Sequence, residues 1–169
     1  MASCFSEREG FMEKRESQKD TAAPEAAGKT IKVRQATAAD MAFIKAHLEK
    51  NNMDAGDLAP DEFVVATQDG TIAGFGRMRK TGTFYQIGCV VVVEEKRSRG
   101  IGALIIQHLL DSAQVDLVYV LTDLVDYFTK RGFVEMKEGS KELFDALDEE
   151  CKVKGKPNTT IMMYEKSKP

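Results

Sequence analysis

Two arginines, a serine and two glycines crowd into six positions, Arg97-Ser98-Arg99-Gly100-Ile101-Gly102. That mixture suits the capture of a phosphorylated ligand. Glycine permits unusual backbone angles and lets a ligand come close, because no Cβ stands in the way. The arginines add positive charge. The all-valine run Val90 to Val93 precedes the cluster, and the apolar, helix-periodic segment Ala103 to Ala113 follows it. The order is therefore buried strand, basic loop, helix start. A helix start leaves backbone N–H groups without partners and carries partial positive charge, so an anion is stabilised there. Two other phosphate loops fit poorly. A dinucleotide fingerprint wants a third glycine near Ile105 and a βαβ unit opening the domain, and a P-loop wants Gly-Lys-Ser/Thr. The remaining reading is a helix that simply begins with glycines and surface arginines.

The elements that must hold this loop can be read outward from it. Phe84 to Val93 is a strand whose apolar end implies burial on both faces. Upstream, Glu62 to Thr67 and Thr71 to Arg79 read as strands joined by the Asp69-Gly70 hairpin signal, and Thr81-Gly82-Thr83 turns the chain into the valine strand. Ile31 to Gln35 alternates as a first strand. Thr37-Ala38-Ala39-Asp40 resembles a capping box before a helix with Met41, Phe43, Ile44, His47 and Leu48 on one face. Asn51 to Asp61 is a loop or a short helix. Downstream, Asp116 to Thr122 is a strand that should lie parallel to the valine strand through a crossover. A short helix covers Asp123 to Lys130, Arg131-Gly132-Phe133 returns to a strand, and Ser140 caps a helix bearing Leu143, Phe144, Leu147 and Cys151. Thr159 to Glu165 closes the sheet. The fold class is α+β: a mixed, mostly antiparallel sheet with one parallel pair, flanked by helices.

With 169 residues, 43% hydrophobic and 30% charged, the chain describes one ordinary globular domain. Residues 1–29 are polar, rich in Glu, Lys, Ser and Ala, with only a transient helix expected around Arg8 to Lys19. They are read as a mobile tail, and 30–169 as the domain. A net charge of -3 disfavours nucleic acid and anionic membrane as partners. Cys4, Cys89 and Cys151 are far apart, with no metal-ligand spacing and no disulfide framework, so no metal is expected. There is no membrane-length apolar run and no signal-peptide core, which makes the cytoplasm the default. The oligomeric state is left open, a homodimer included.

The stretch from Val90 to Gly102 resembles the acetyl-CoA loop of the GNAT N-acetyltransferase superfamily, whose pattern is Gln/Arg-x-x-Gly-x-Gly/Ala. Tyr127-Phe128-Thr129-Lys130-Arg131-Gly132-Phe133 is similar to the superfamily's second signature, an aromatic pair followed by x-x-x-Gly-Phe. The spacing of the two and the upstream meander also fit, and the resemblance covers about Ile31 to Phe133. It implies acetyl-CoA as cosubstrate. The diphosphate would sit on the amides of Arg97, Ser98, Arg99, Gly100, Ile101 and Gly102, and the pantetheine arm would add like a strand beside Val90, Val91 and Val92, with Phe128 lining the same site. An amine would then attack the thioester.

Two positions depart from that pattern. Where many members carry a glutamate that accepts the amine's proton through water, this chain has Gln86. Where many carry a tyrosine that protonates the leaving thiolate, it has Phe128; Tyr127 is one position early. No catalytic acid or base is therefore assigned. Leu121-Thr122, Phe128 and Arg131-Gly132-Phe133 look like the bacterial N-acetylglutamate synthase branch. An amino-acid acceptor would need cations for its carboxylates. Arg77 and Arg79 alternate on one strand and so share a face, with Lys32 and Arg34 on a neighbouring strand; solvated strand positions are the plain alternative. His47 and His108 read as helix-face residues, Asp123 as part of a helix cap, and Cys89 as a small buried hydrophobe. The function expected is acetyl transfer to a small-molecule amine, with an amino acid such as glutamate the leading acceptor. The alternatives are a protein N-terminus or lysine as acceptor, or a CoA-binding regulatory module without turnover.

Overall fold

The computed structural model describes residues 4–5, 30–139, 141–146 and 159–166. One sheet organises them. Its strands are β1 (Cys4–Phe5), β2 (Ile31–Gln35), β3 (Phe63–Gln68), β4 (Thr71–Thr81), β5 (Phe84–Val92), β6 (Leu117–Thr122), β7 (Val134–Glu135) and β8 (Thr160–Glu165). The order across the sheet is β2-β3-β4-β5-β6-β8-β7, with β1 attached to β5. Along that order only β5 and β6 run parallel, with Gln86 opposite Tyr119 and Ile87 opposite Val120. The crossover between them is α2 (Ile101–Ser112), as a parallel pair requires. β1 also joins in parallel, with Cys4 opposite Cys89 and Phe5 opposite Val90. The expected architecture is the one observed.

Local chemistry explains the meander. Asp69 and Gly70 both have positive φ, 53° and 79°, the geometry that a tight right-twisting hairpin demands. The valines of β5 divide between the two faces with a period of two. Val90 and Val92 join the cluster containing Val64, Ile105 and Leu109. Val91 joins Phe63, Phe75, Ile44 and Leu48 below α1 (Met41–Lys50). An uninterrupted apolar run therefore fits a strand sandwiched between helices.

The expected capping box is present. Thr37 and Asp40 bond reciprocally ahead of α1, and the Asp40 carboxylate also accepts two hydrogen bonds from Arg34, at 2.8 and 3.0 Å. The Arg34 bonds, opposed by burial and aided by Thr37, hold the Asp40 carboxyl well below the usual carboxylate range. Three boundaries differ from expectation. α2 begins two residues early, at Ile101, because Gly100 rather than Gly102 makes the turn into it. Residues 60–62 form a single 3-10 turn. α3 covers only Val125–Thr129, and the Arg131-Gly132-Phe133 segment closes that helix and leads directly into β7 at Val134. Gly132 has φ 86°, and the Phe133 N–H donates to the Phe128 carbonyl, the left-handed termination common at helix ends. Residues 141–146 are helical. Ser140, Leu147 and Cys151, and the Arg8 to Lys19 segment, lie outside the described residues.

α2 lies unusually close to the sheet. A β-carbon on Gly76 would stand 2.5 Å from Ile105 Cγ2 and 3.0 Å from Leu109 Cδ1, and one on Gly74 would stand 2.7 Å from the Val91 carbonyl oxygen. Gly76→Ala should therefore lower the unfolding free energy by about 1–3 kcal/mol through overpacking, read as a lower urea midpoint with an unchanged slope. Asp40→Asn tests the cap. A carboxyl with a depressed folded pKa stabilises above its unfolded value, near about 4, and loses that contribution as the pH falls through the folded value. The variant should be about 1 kcal/mol less stable near neutral pH, since Arg34 is half exposed, and the gap to the parent should close in denaturation series run below about pH 4.

Candidate active site

The basic loop leaves β5 with its turns closed by backbone bonds. The Val93 N–H donates to the Ala73 carbonyl, and the Lys96 N–H to the Val93 carbonyl, closing a 3-10 turn at Glu94–Lys96. Arg97 Nε donates to the Val92 carbonyl at 3.2 Å and ties the loop back to the strand end. Ser98 and Gly100 both take left-handed backbone, φ 65° and 74°. The first helical bond runs from the Leu104 N–H to the Gly100 carbonyl. The N–H groups of Ile101, Gly102 and Ala103 come before it and point out of the helix end. Ser98, Arg99 and Gly100 are exposed, and the first turn of α2 contains no acidic residue. No side-chain carboxylate of that turn competes with an incoming anion.

Directly beside this helix end the sheet opens. β5 and β6 pair only at Gln86 and Ile87. Past Ile87 the two strands part, β6 staying with β8 through Thr122 while β5 runs on to Val92. Val90, Val91 and Val92 line the departing strand and are buried. Between Arg77 and Met78 the β4–β5 register shifts, so that Arg77 faces Cys89, Met78 faces Ile87 and Gly88 is the extra residue. A bulge of this kind sharpens twist and turns the strand away from its neighbour.

One face of β4 carries the two expected arginines. The alternation survives the bulge, because the extra residue is on β5, and Phe75, Arg77 and Arg79 share a face. Arg79 lies half-buried opposite Gln86. Arg77 is 2% exposed, and its guanidinium is held inside the protein. Nε donates to Glu62 Oε2 at 2.7 Å, Nη2 donates to the Asp57 carbonyl at 2.9 Å, and the group stands 5.2 Å from the Phe63 ring. The sequence reading missed this clamp. Glu62, just ahead of a strand, was the available signal, since a carboxylate at a strand entry can reach a residue on the next strand.

The remaining candidates fall into place individually. Gln86 is 1% exposed and sits across from Tyr119, whose hydroxyl pKa burial pushes up. Phe128 is completely buried, edge-on to Tyr127 and Phe133. Tyr127 lies under the Arg131 guanidinium at 3.4 Å. His47 is a packing residue, stacked on Phe43 with Nδ1 2.9 Å from the Phe43 carbonyl. Asp123 is exposed and α3 has no side-chain cap; Thr122 Oγ1 accepts from the Leu124 N–H at 2.9 Å in the turn just ahead of it. Cys89 is buried in the core beside Val91 and Phe75. Among the described residues, no group of three or more His, Cys, Asp or Glu could share a metal ion, and no helix is long and apolar enough to cross a membrane.

Comparison with known proteins bears on this geometry. Residues 19–147 match the family described as acetyltransferase (GNAT) domain. No curated protein matches the sequence. Several solved structures share the fold. N-acetylglutamate synthase from Neisseria gonorrhoeae, complexed with coenzyme A and N-acetyl-glutamate, has a TM-score of 0.65 at 19% identity, over 82% of this chain and 36% of its own. The chain thus spans little more than a third of that synthase. Rv2747 from Mycobacterium tuberculosis, in complex with CoA, reaches 0.69 at 24% identity over 80% of this chain and 99% of its own. The ribosomal-protein-S18-alanine N-acetyltransferase from Escherichia coli reaches 0.60 at 14% identity over 83% and 96%.

The Arg77 clamp generates its own test. Glu62→Gln removes the carboxylate from a buried guanidinium. A fully enclosed pair would lose about 3–5 kcal/mol. Because the Glu62 side chain is 29% exposed, the expected loss is about 2 kcal/mol, measured by chemical denaturation.

Proposed function

Because the chain belongs to the acetyltransferase (GNAT) domain family, we propose that it transfers the acetyl group of acetyl-CoA to the α-amine of a small amino acid, glutamate first among the candidates. Its class is N-acetyltransferase. The observation that supports the acetyl-CoA reading is the alignment of two features: a helix start that follows the exposed Ser98-Arg99-Gly100 and has no acidic residue in its first turn, and a β5 edge that parts from β6.

In this reading the CoA diphosphate rests on the N–H groups of Gly100, Ile101 and Gly102, with Arg97, Ser98 and Arg99 around it. Backbone donors at a helix start suit a diphosphate better than side chains alone, since they are already oriented. The pantetheine arm carries two amides and bonds along Val90, Val91 and Val92 as a short strand would. That register brings the thioester to the bulge at Gly88, on the level of Arg79 and Gln86. Arg79 is the residue we assign to an acceptor carboxylate. Arg77, neutralised by Glu62, lies behind it and sets the shape of that wall. Phe128 supports the pantetheine side as an apolar surface. Gln86 orients by hydrogen bonding, as a carboxamide neither takes nor gives a proton at neutral pH. The amine nitrogen attacks the thioester carbon, the carbon–sulfur bond breaks, and the amine's proton leaves to solvent while CoA departs as thiolate or thiol. The likeness of fold to N-acetylglutamate synthase supports an amino-acid acceptor.

The test follows free thiol release from acetyl-CoA against a panel of amino acids, polyamines and N-terminal peptides. Glutamate is expected to give the largest stimulation. CoA binding with no acceptor-stimulated release would overturn the assignment in favour of a regulatory module, and preference for a peptide would overturn the acceptor class. Gly100→Val serves as the cofactor control. A β-carbon there meets no protein atom within 4 Å, so its branches project into the mouth of the loop, and a φ of 74° strains any β-branched residue. CoA affinity is expected to fall about tenfold or more by calorimetry, consistent with the loss of oriented N–H donors.

A further inference from the structure

We propose that the N-terminal strand β1 is a built-in competitor of the CoA pantetheine arm, so that the chain blocks its own cofactor site until acetyl-CoA displaces it. The inference rests on the reading of the site given above. Where β5 leaves β6, its backbone N–H and C=O groups face a gap in the middle of a sheet, and buried backbone groups require partners. In this structure the partner is Cys4–Phe5, aligned parallel to β5 with Cys4 opposite Cys89 and Phe5 opposite Val90. Pairing with β6 stops at Ile87, and pairing with β1 begins at Cys89. Only Gly88, the bulge residue, separates them. β1 thus fills the start of the stretch that the pantetheine arm would use, Val90 to Val92.

The two occupants exclude each other. A strand edge accepts one extended chain at about 4.8 Å, and the next chain would have to lie beyond it. β1 is also suited to leave. It pairs over two residues only, so few backbone bonds hold it. It is covalently attached, with residues 6–30 between it and the start of β2, and its competition is therefore intramolecular and independent of protein concentration. The apparent affinity for CoA is then reduced by the fraction of molecules in which the edge is vacant.

The test uses the full-length chain carrying Cys4→Pro and Phe5→Pro together. Proline has no N–H to donate and is not accommodated within a paired strand. Calorimetry should show CoA binding about three- to tenfold tighter in the variant, the range expected when one or two net hydrogen bonds are lost by the competitor. The KM for acetyl-CoA should fall with it, while kcat at saturation and the KM for the acceptor stay unchanged. Deuterium exchange at Val90, whose N–H faces the β1 side because the Val93 N–H faces β4, should be faster in the ligand-free variant than in the ligand-free parent, and equal once both are saturated with CoA. Equal CoA affinity in the two proteins would overturn the inference, whether or not the exchange rates differ. Failure of both proteins to bind CoA would overturn the reading of the site as well, which separates the two failures.

Discussion

The central constraint on this molecule is the parting of β5 from β6. Two residues of parallel pairing at Gln86 and Ile87 fix the angle between them, and from there the strands diverge inside the sheet rather than at its edge. An open edge at the rim of a sheet can be wetted or blunted with charge. An interior one, lined by Val90, Val91 and Val92 at 1–2% exposure, can be satisfied only by another extended chain. The sheet is therefore complete only with an extended chain in the gap, and in this structure β1 pairs there at Cys89 and Val90.

The rest of the chain keeps that gap open. Gly74 and Gly76 bring α2 down onto β4 so that its first turn lies at the open end of β5. With larger residues there, the helix would ride higher and its N–H groups would miss the level of the strand. On the other face, the Arg77 clamp joins β4 to Glu62 and to the Asp57 carbonyl, fixing the segment before β3 against the bulge. A buried guanidinium is tolerable only because its donors find acceptors, and meeting that need is what shapes the wall beside Arg79.

Much of this was legible in the residues because local chemistry and global fold agree. The Asp69-Gly70 turn, the Thr37–Asp40 box and the period-two valines each specify one local geometry, and each appears as read. The strand–loop–helix order around Arg97 to Gly102 was legible for the same reason. What escaped the sequence was long-range. The partner of Arg77 lies fifteen residues away on a different element, and no periodicity announces it. The bulge at Gly88 depends on the register between two strands, which is a property of the pair. The attachment of Cys4–Phe5 to β5 was likewise invisible, since a polar segment with little to bury gives no sign that two of its residues complete a gap elsewhere.

In the reading proposed above, Gln86 and Phe128 decide what kind of catalyst such a frame would be. Proton transfer by a positioned side chain is worth about 10²- to 10⁴-fold, whereas holding two reactants in register is worth effective molarities of about 10⁵–10⁸ M. A chain with an amide at the one position and a phenyl ring at the other keeps the larger contribution and gives up the smaller. Its amine must arrive already neutral. Below the amine's own pKa the competent fraction then falls about tenfold for each pH unit, and no ionisable side chain within the site need impose a second limb. Its CoA thiolate can leave without an acid, because a thiol, with an ordinary pKa of about 8.5, is a far better leaving group than an alkoxide or an amide. The physical demand on this site is accordingly one of placement, and placement is what the parted strands, the close-packed helix and the buried arginine all serve.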